Sequence, residues 1–155
     1  MSLNLITDRT PADVAYAESN RDNATPNKGA YNAADFNRVG AALNYLSDLL
    51  FSHGYGPNPR LRDDWIATEN MSYQDATTYL QTIRQIRVFY STLPTTPDLP
   101  MDIHELFNPG GHVKANDIER FLLDIEGLIT LMSSVFLRCG TTYSGGPHMY
   151  IKNGG

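Results

Sequence analysis

Three stretches of this chain place apolar residues at steps of three and four, and each is bounded by residues that cannot continue a helix. From about Ala33 to His53 the series is Phe36, Val39, Leu43, Leu46 and Leu50, with Asn32 as the helix cap and Gly54 as the stop. A second series, Ala76, Tyr79, Ile83 and Ile86, starts after Ser72, whose hydroxyl caps while Asp75 sits three residues on, and reaches about Tyr90. The third, about Ala115 to Cys139 before Gly140, is the most apolar. Its stripe of Ile118, Phe121, Ile125, Leu128, Met132 and Val135 is widened by Leu122, Leu123, Ile129, Leu131 and Phe136, which predicts a central helix covered on more than one side. A helix with one apolar stripe is stable only against a partner. Three such helices in one chain therefore predict a mainly α fold, a bundle of three long helices.

The remaining segments read as accessories. Thr10 as cap, Pro11 at the first helical position and Asp13 at the third predict a short N-terminal helix ending near Asn20. A polar, turn-rich connector follows, through Thr25-Pro26-Asn27-Lys28-Gly29. Gly54-Tyr55-Gly56-Pro57-Asn58-Pro59 ends the first long helix, and Arg60 to Ile66 is expected to be extended and to carry Trp65 into or against the core. Pro94, Pro97 and Pro100 end the second helix, Met101 to Phe107 has room for one helical turn, and Asn108-Pro109-Gly110-Gly111 is a tight loop. The tail beyond Gly140 suits a small β-hairpin. The expectation is one domain over residues 1–155: an N-terminal helix and connector (1–31), a bundle core (32–140) and a tail or hairpin (141–155).

Placed in register on Asp35, Asp75 and Asp117, the three long helices look alike, with apolar residues at offsets one, four, eight and eleven. An acidic residue near a helix start is favourable against the partial positive charge there. Duplication and the common grammar of amphipathic helices both account for this pattern.

Chemistry is harder to find. The net charge of −5, with basic residues scattered, argues against binding nucleic acid, because phosphate recognition needs clustered Lys and Arg. Arg60 and Arg62 are followed at once by Asp63 and Asp64. The single Cys139 has no thiol partner and reads as a half-buried structural residue. No basic, apolar leader and no run of ~20 apolar residues is evident, so neither secretion nor membrane insertion is expected. His53, His104, His112 and His148 form no helical ligand pair, and the Asn108–His112 loop matches no phosphate-binding pattern. Asp117, Glu119, Asp124 and Glu126 are expected to form a solvated polar face, because Asp117/Asp124 and Glu119/Glu126 are each seven residues, ~10 Å, apart along a helix. No catalytic residue, cofactor or metal is expected.

Tyrosine stands out, with nine copies. Tyr31, Tyr55, Tyr73, Tyr143 and Tyr150 fall near helix ends or in loops, where aromatic rings with polar tips suit protein interfaces and also stack on sugars. They suit equally well the closing of a bundle's ends. As candidate interface residues they separate two functional readings, a scaffold and a glycan-binding module.

Three stretches carry a resemblance when taken in order. They are Leu5-Ile-Thr-Asp-Arg-Thr10 with Asp13-Val14, Gly29-Ala-Tyr-Asn-Ala-Ala-Asp35-Phe-Asn-Arg-Val39, and Ala115-Asn-Asp-Ile-Glu-Arg120 with Asp124-Ile125. With Asp64-Trp65, Tyr79-Leu80 and Leu93-Pro94-Thr-Thr-Pro97, the chain resembles small proteins encoded in the tail and fibre gene clusters of phages and prophages of Gram-positive bacteria. The resemblance implies a structural component of a tail or baseplate, present in several copies in a symmetric assembly and partnered by other virion proteins. It implies assembly in the host cytoplasm and residence in the virion, and brings no catalytic residues. The alternative is an adhesion module of the tail tip that binds a host cell-wall glycan through its loop tyrosines.

Overall fold

A computed structural model describes residues 3–21, 27–55, 58–89 and 99–131. Among the described residues four α-helices carry the fold: α1 (Pro11–Ser19), α2 (Ala33–Ser52), α3 (Tyr73–Phe89) and α4 (111–131), with a 3₁₀ turn at Ile103–Leu106 before the last. There is no strand among the described residues. The predicted hairpin, Cys139 and Gly140 lie outside them.

The helix starts follow the predicted chemistry. Thr10 and Asp13 form a reciprocal capping box on α1, Asn32 and Asp35 one on α2, and Asp102 and Glu105 one on the 3₁₀ turn. At α3 the Ser72 hydroxyl accepts from the Asp75 amide while Asp75 Oδ2 accepts from the Ser72 amide. Helix α2 ends at Gly54, whose φ of +83° allows the Tyr55 amide to reach back to the Leu50 carbonyl.

α4 departs from expectation. It begins at residue 111, four residues before Ala115, because the loop closes earlier: the Gly111 amide bonds the Asn108 carbonyl, and the Val113 amide bonds that of Gly110. Asp117 therefore lies in the second turn, outside the first-turn role that aligned it with Asp35 and Asp75. The likeness among the three helices extends to their apolar stripes, not to their starts.

Those stripes meet in one core. Phe36, Val39, Leu43, Leu46 and Leu50 from α2, Tyr79, Leu80, Ile83 and Ile86 from α3, and Ile118, Phe121, Leu122, Ile125 and Ile129 from α4 are all buried together. At ~1.5–3 kcal/mol per buried large side chain, this cluster is the main source of stability. The widened stripe expected of α4 holds at Leu122 and Ile129, which are buried, and not at Leu131, which is 67% exposed.

Two extended segments lie against the helices, each clamped by asparagine. Asn37 and Asn44, seven residues apart on α2, hold the segment before α3 as a neighbouring strand would. Asn37 accepts from the Trp65 amide at 2.6 Å and donates to its carbonyl at 2.8 Å, and Asn44 does the same to Leu61 at 2.8 Å both ways. The approach is so close that a Cβ on Gly40 would sit 2.6 Å from the Arg62 carbonyl oxygen. Trp65 packs half-buried against the core, as expected, with the Arg62 guanidinium 4.1 Å above its ring. The third clamp is Asn116 on α4, which accepts from the Arg9 amide and donates to the Arg9 carbonyl, both at 3.0 Å.

Candidate functional site

The N-terminal residues 3–10 form a strap that runs antiparallel to α4. The Ile6 amide donates to Glu119 Oε2 at 2.5 Å, the Thr7 carbonyl accepts from Arg120 at 2.8 Å, and the Leu3 amide faces Glu126 at 3.5 Å. At its end the strap delivers Arg9 into the interior. The Arg9 guanidinium reaches Asp35 Oδ1 at 2.8 Å, Glu119 Oε1 at 2.6 Å and the Ile6 carbonyl at 2.7 Å, and lies 5.8 Å from the centre of the Tyr31 ring. Arg38 of α2 bonds the same two carboxylates, with Nε to Glu119 Oε2 at 3.0 Å and Nη2 both to Glu119 Oε1 at 2.8 Å and to Asp35 Oδ1.

Arg9 is 5%, Asp35 3% and Glu119 0% exposed, so this is a buried lattice of two guanidiniums and two carboxylates whose formal charges cancel. Asp35 serves twice, since its other oxygen caps the Asn32 amide at 2.9 Å. Burial lowers the Arg38 pKa, but hydrogen bonds and attraction from Glu119 and Asp35 outweigh that and raise it above the ordinary arginine value.

The predicted solvated face of α4 is thus corrected at one position. Asp124 is exposed and Asp117 and Glu126 are half-buried, but Glu119 is wholly buried. It stands one turn from both Ala115 and Leu122, inside the apolar stripe, and only the two arginines make that position tolerable. Reasoning from the spacing of the acids missed its partners Arg9 and Arg38, and with them Asp35, which shares both arginines, and Asn116, which holds the Arg9 backbone. Every one of these residues falls within residues 5–10, 29–39 or 115–120, and a carboxylate in phase with an apolar stripe is the signal to look for its cations.

The candidate interface tyrosines separate. Tyr31, directly before the α2 cap, packs edge-on against Phe36 with ring centres 4.9 Å apart, a staple between the residue before the cap and the fourth helical residue. Phe36 meets Tyr79 in the same way at 5.0 Å, and the hydroxyls of Tyr31 and Tyr79 share a 2.6 Å hydrogen bond. Burial pushes both phenol pKa values up. Tyr31 is therefore internal packing, and Tyr55 too lies against the core. Tyr73, 75% exposed, remains available at the start of α3. Tyr143 and Tyr150 lie outside the described residues.

Elsewhere the surface offers shape without convergent chemistry. A groove of about 620 Å³ runs beneath the end of α1, lined by Ala17, Arg21, Phe36, Trp65 and Met71 among others, and another of about 460 Å³ separates α1 from the loop at Phe107–His112. Among the described residues no three His, Cys, Asp or Glu side chains are placed to hold a metal ion. His104 bonds Asp102 at 2.7 Å on the surface, and His148 lies outside the described residues. No described helix is long and apolar enough to cross a membrane.

No protein-family model matches this chain, and no curated protein or solved structure matches it either.

Proposed function

We propose that this protein is a structural component of a phage tail or baseplate that works through protein–protein contacts and carries out no catalysis. The observation that carries this reading is a set of large apolar side chains left outside a firmly packed block. Tyr73 and Met101 are each 75% exposed, Leu131 67%, Tyr16 63%, and Phe107 and Ile66 59%. Scattered single residues of this kind are normal on any surface, but Tyr73 and Met101 border one shallow depression, together with Leu80 and Ile103. Rings and thioethers of this type suit the centre of a contact between proteins. The resemblance of its motif order to phage tail-cluster proteins supports placing such contacts in that assembly. The glycan-binding alternative loses Tyr31 and Tyr55, which are drawn inward against the core.

Purified particles of the encoding phage or induced prophage test this directly. Quantitative mass spectrometry is expected to find the chain in a fixed ratio to the tail proteins, and Tyr73→Glu with Met101→Glu to lower that ratio without unfolding the free protein. Absence of the chain from intact particles refutes the proposal.

A further inference from the structure

Apolar contact leaves the position of the strap along α4 undetermined. Leu3 and Leu5 form one wall of an apolar groove of about 270 Å³ whose other wall is Arg38, Ala41, Ala42 and Tyr45 of α2. Small alanines make that groove smooth, and Leu3 and Leu5 are two residues apart, the period of an extended chain. Sliding the strap by two residues would set one leucine where the other lies, so the leucines alone do not fix the alignment. The strap's backbone bonds go to side chains of α4, oxygens that accept from any amide and nitrogens that donate to any carbonyl.

The residue at position 9 removes this freedom. It is the strap residue placed to reach Asp35, Glu119 and Asn116 together, and each neighbour fails there for its own reason. Asp8 would bring a third carboxylate against Asp35 and Glu119. Thr7 carries no charge and would leave both acids to Arg38 alone. Thr10 is committed to capping α1 through Asp13, and Pro11 has no amide for Asn116 Oδ1 to accept.

We propose that Arg9 is a register pin: the buried lattice of Arg9, Asp35, Arg38 and Glu119 sets which strap residue lies opposite which turn of α4. Buried ion pairs commonly add little net stability over apolar packing, and fixing one alignment among several is the role such groups perform best. The strap supplies one cation, the helices supply two acids and one cation, and alignments that misplace the strap cation leave buried charge uncompensated.

The test places spin labels at Asn4→Cys on the strap and Val113→Cys on α4, both exposed positions, in a Cys139→Ser background. Dipolar spectroscopy then reads the distance between them. The parent protein is expected to give one narrow distribution. With Arg9→Met a second population is expected, displaced by about 7 Å, two residues of extended chain. The decisive variant moves the pin: Thr7→Arg with Arg9→Thr is expected to draw residue 7 into the lattice and shorten the label distance by about 7 Å as a single population. A moved-pin variant that keeps the parent distance overturns the proposal. One that does not fold, as judged by helical circular dichroism, also overturns it, because the arginine would then be required at position 9 for stability and not for alignment.

Discussion

Glu119→Ala is the most informative single change for testing the buried lattice. The carboxylate accepts four hydrogen bonds, one each from the Ile6 amide and Arg9 and two from Arg38. Removing it leaves two guanidiniums sharing Asp35, with Arg9 only 5% exposed and one of its nitrogens, Nε, already without a hydrogen-bond partner. Breaking a buried pair from one side costs ~3–5 kcal/mol, a large share of the ~5–15 kcal/mol that holds a domain together. With a urea m-value of ~2 kcal/mol per molar, the midpoint is expected to fall by about 1.5–2.5 M at unchanged m, followed by circular dichroism. Replacing Arg9 by Met and Glu119 by Leu together leaves the neutral Asp35–Arg38 pair and is expected to recover much of the loss. A loss below ~1 kcal/mol for Glu119→Ala, the value of an exposed pair, would refute this account of the lattice.

Individual residues of the fold carry the remaining predictions. Tyr31→Phe strands the buried Tyr79 hydroxyl, bonded at 2.6 Å in the parent, and is expected to cost ~1–3 kcal/mol, with the double Phe variant less affected. Both phenols have raised pKa values, so their contribution is complete below about pH 10 and fades as pH rises toward the elevated folded values; the double Phe variant should lose less stability in alkaline titration. Gly29→Ala puts a Cβ 1.9 Å from the Asp13 carbonyl oxygen and is expected to destabilise by more than ~1 kcal/mol, whereas Gly127→Ala on α4 meets nothing within 4 Å and is expected to stabilise by ~0.5–1 kcal/mol, both read by thermal melting. The capping acids Asp13, Asp75 and Asp102 have lowered pKa values, chiefly through bonds to Thr10, Ser72 and the His104 amide. Their contribution is present above the ordinary carboxylate range and is lost as pH falls through the depressed values, so Asp75→Asn should flatten the acid limb of the stability profile.

What the sequence made legible was local or periodic. Thr10, Asn32 and Ser72 announced their helices because a cap and its third-residue acid lie within one turn, and Phe36 through Leu50 announced a buried face through spacing alone. The start of α4 was missed because Gly110 and Gly111, read as a loop, are only partly one: Gly110 turns with φ of +86° and Gly111 already begins the helix. The lattice was hidden for a different reason. Arg9 and Glu119 are 110 residues apart in sequence, and nothing local to either says that an extended strap will bring them together. Tyr31 was read as an interface residue although its place before the cap and four residues past it, Phe36, spelled a staple.

The strap also orders events in time. Its bonds to α4 span 107 to 123 residues, so closing them demands a larger loss of chain freedom than any turn or cap in the molecule. The residues a ribosome makes early must wait for α4, made far later, before Arg9 finds its two acids. In a pulsed hydrogen-exchange refolding experiment the amides of Ile6 and Arg9 should therefore gain protection after those in the middle of α2, which makes the strap, synthesised early, settle late.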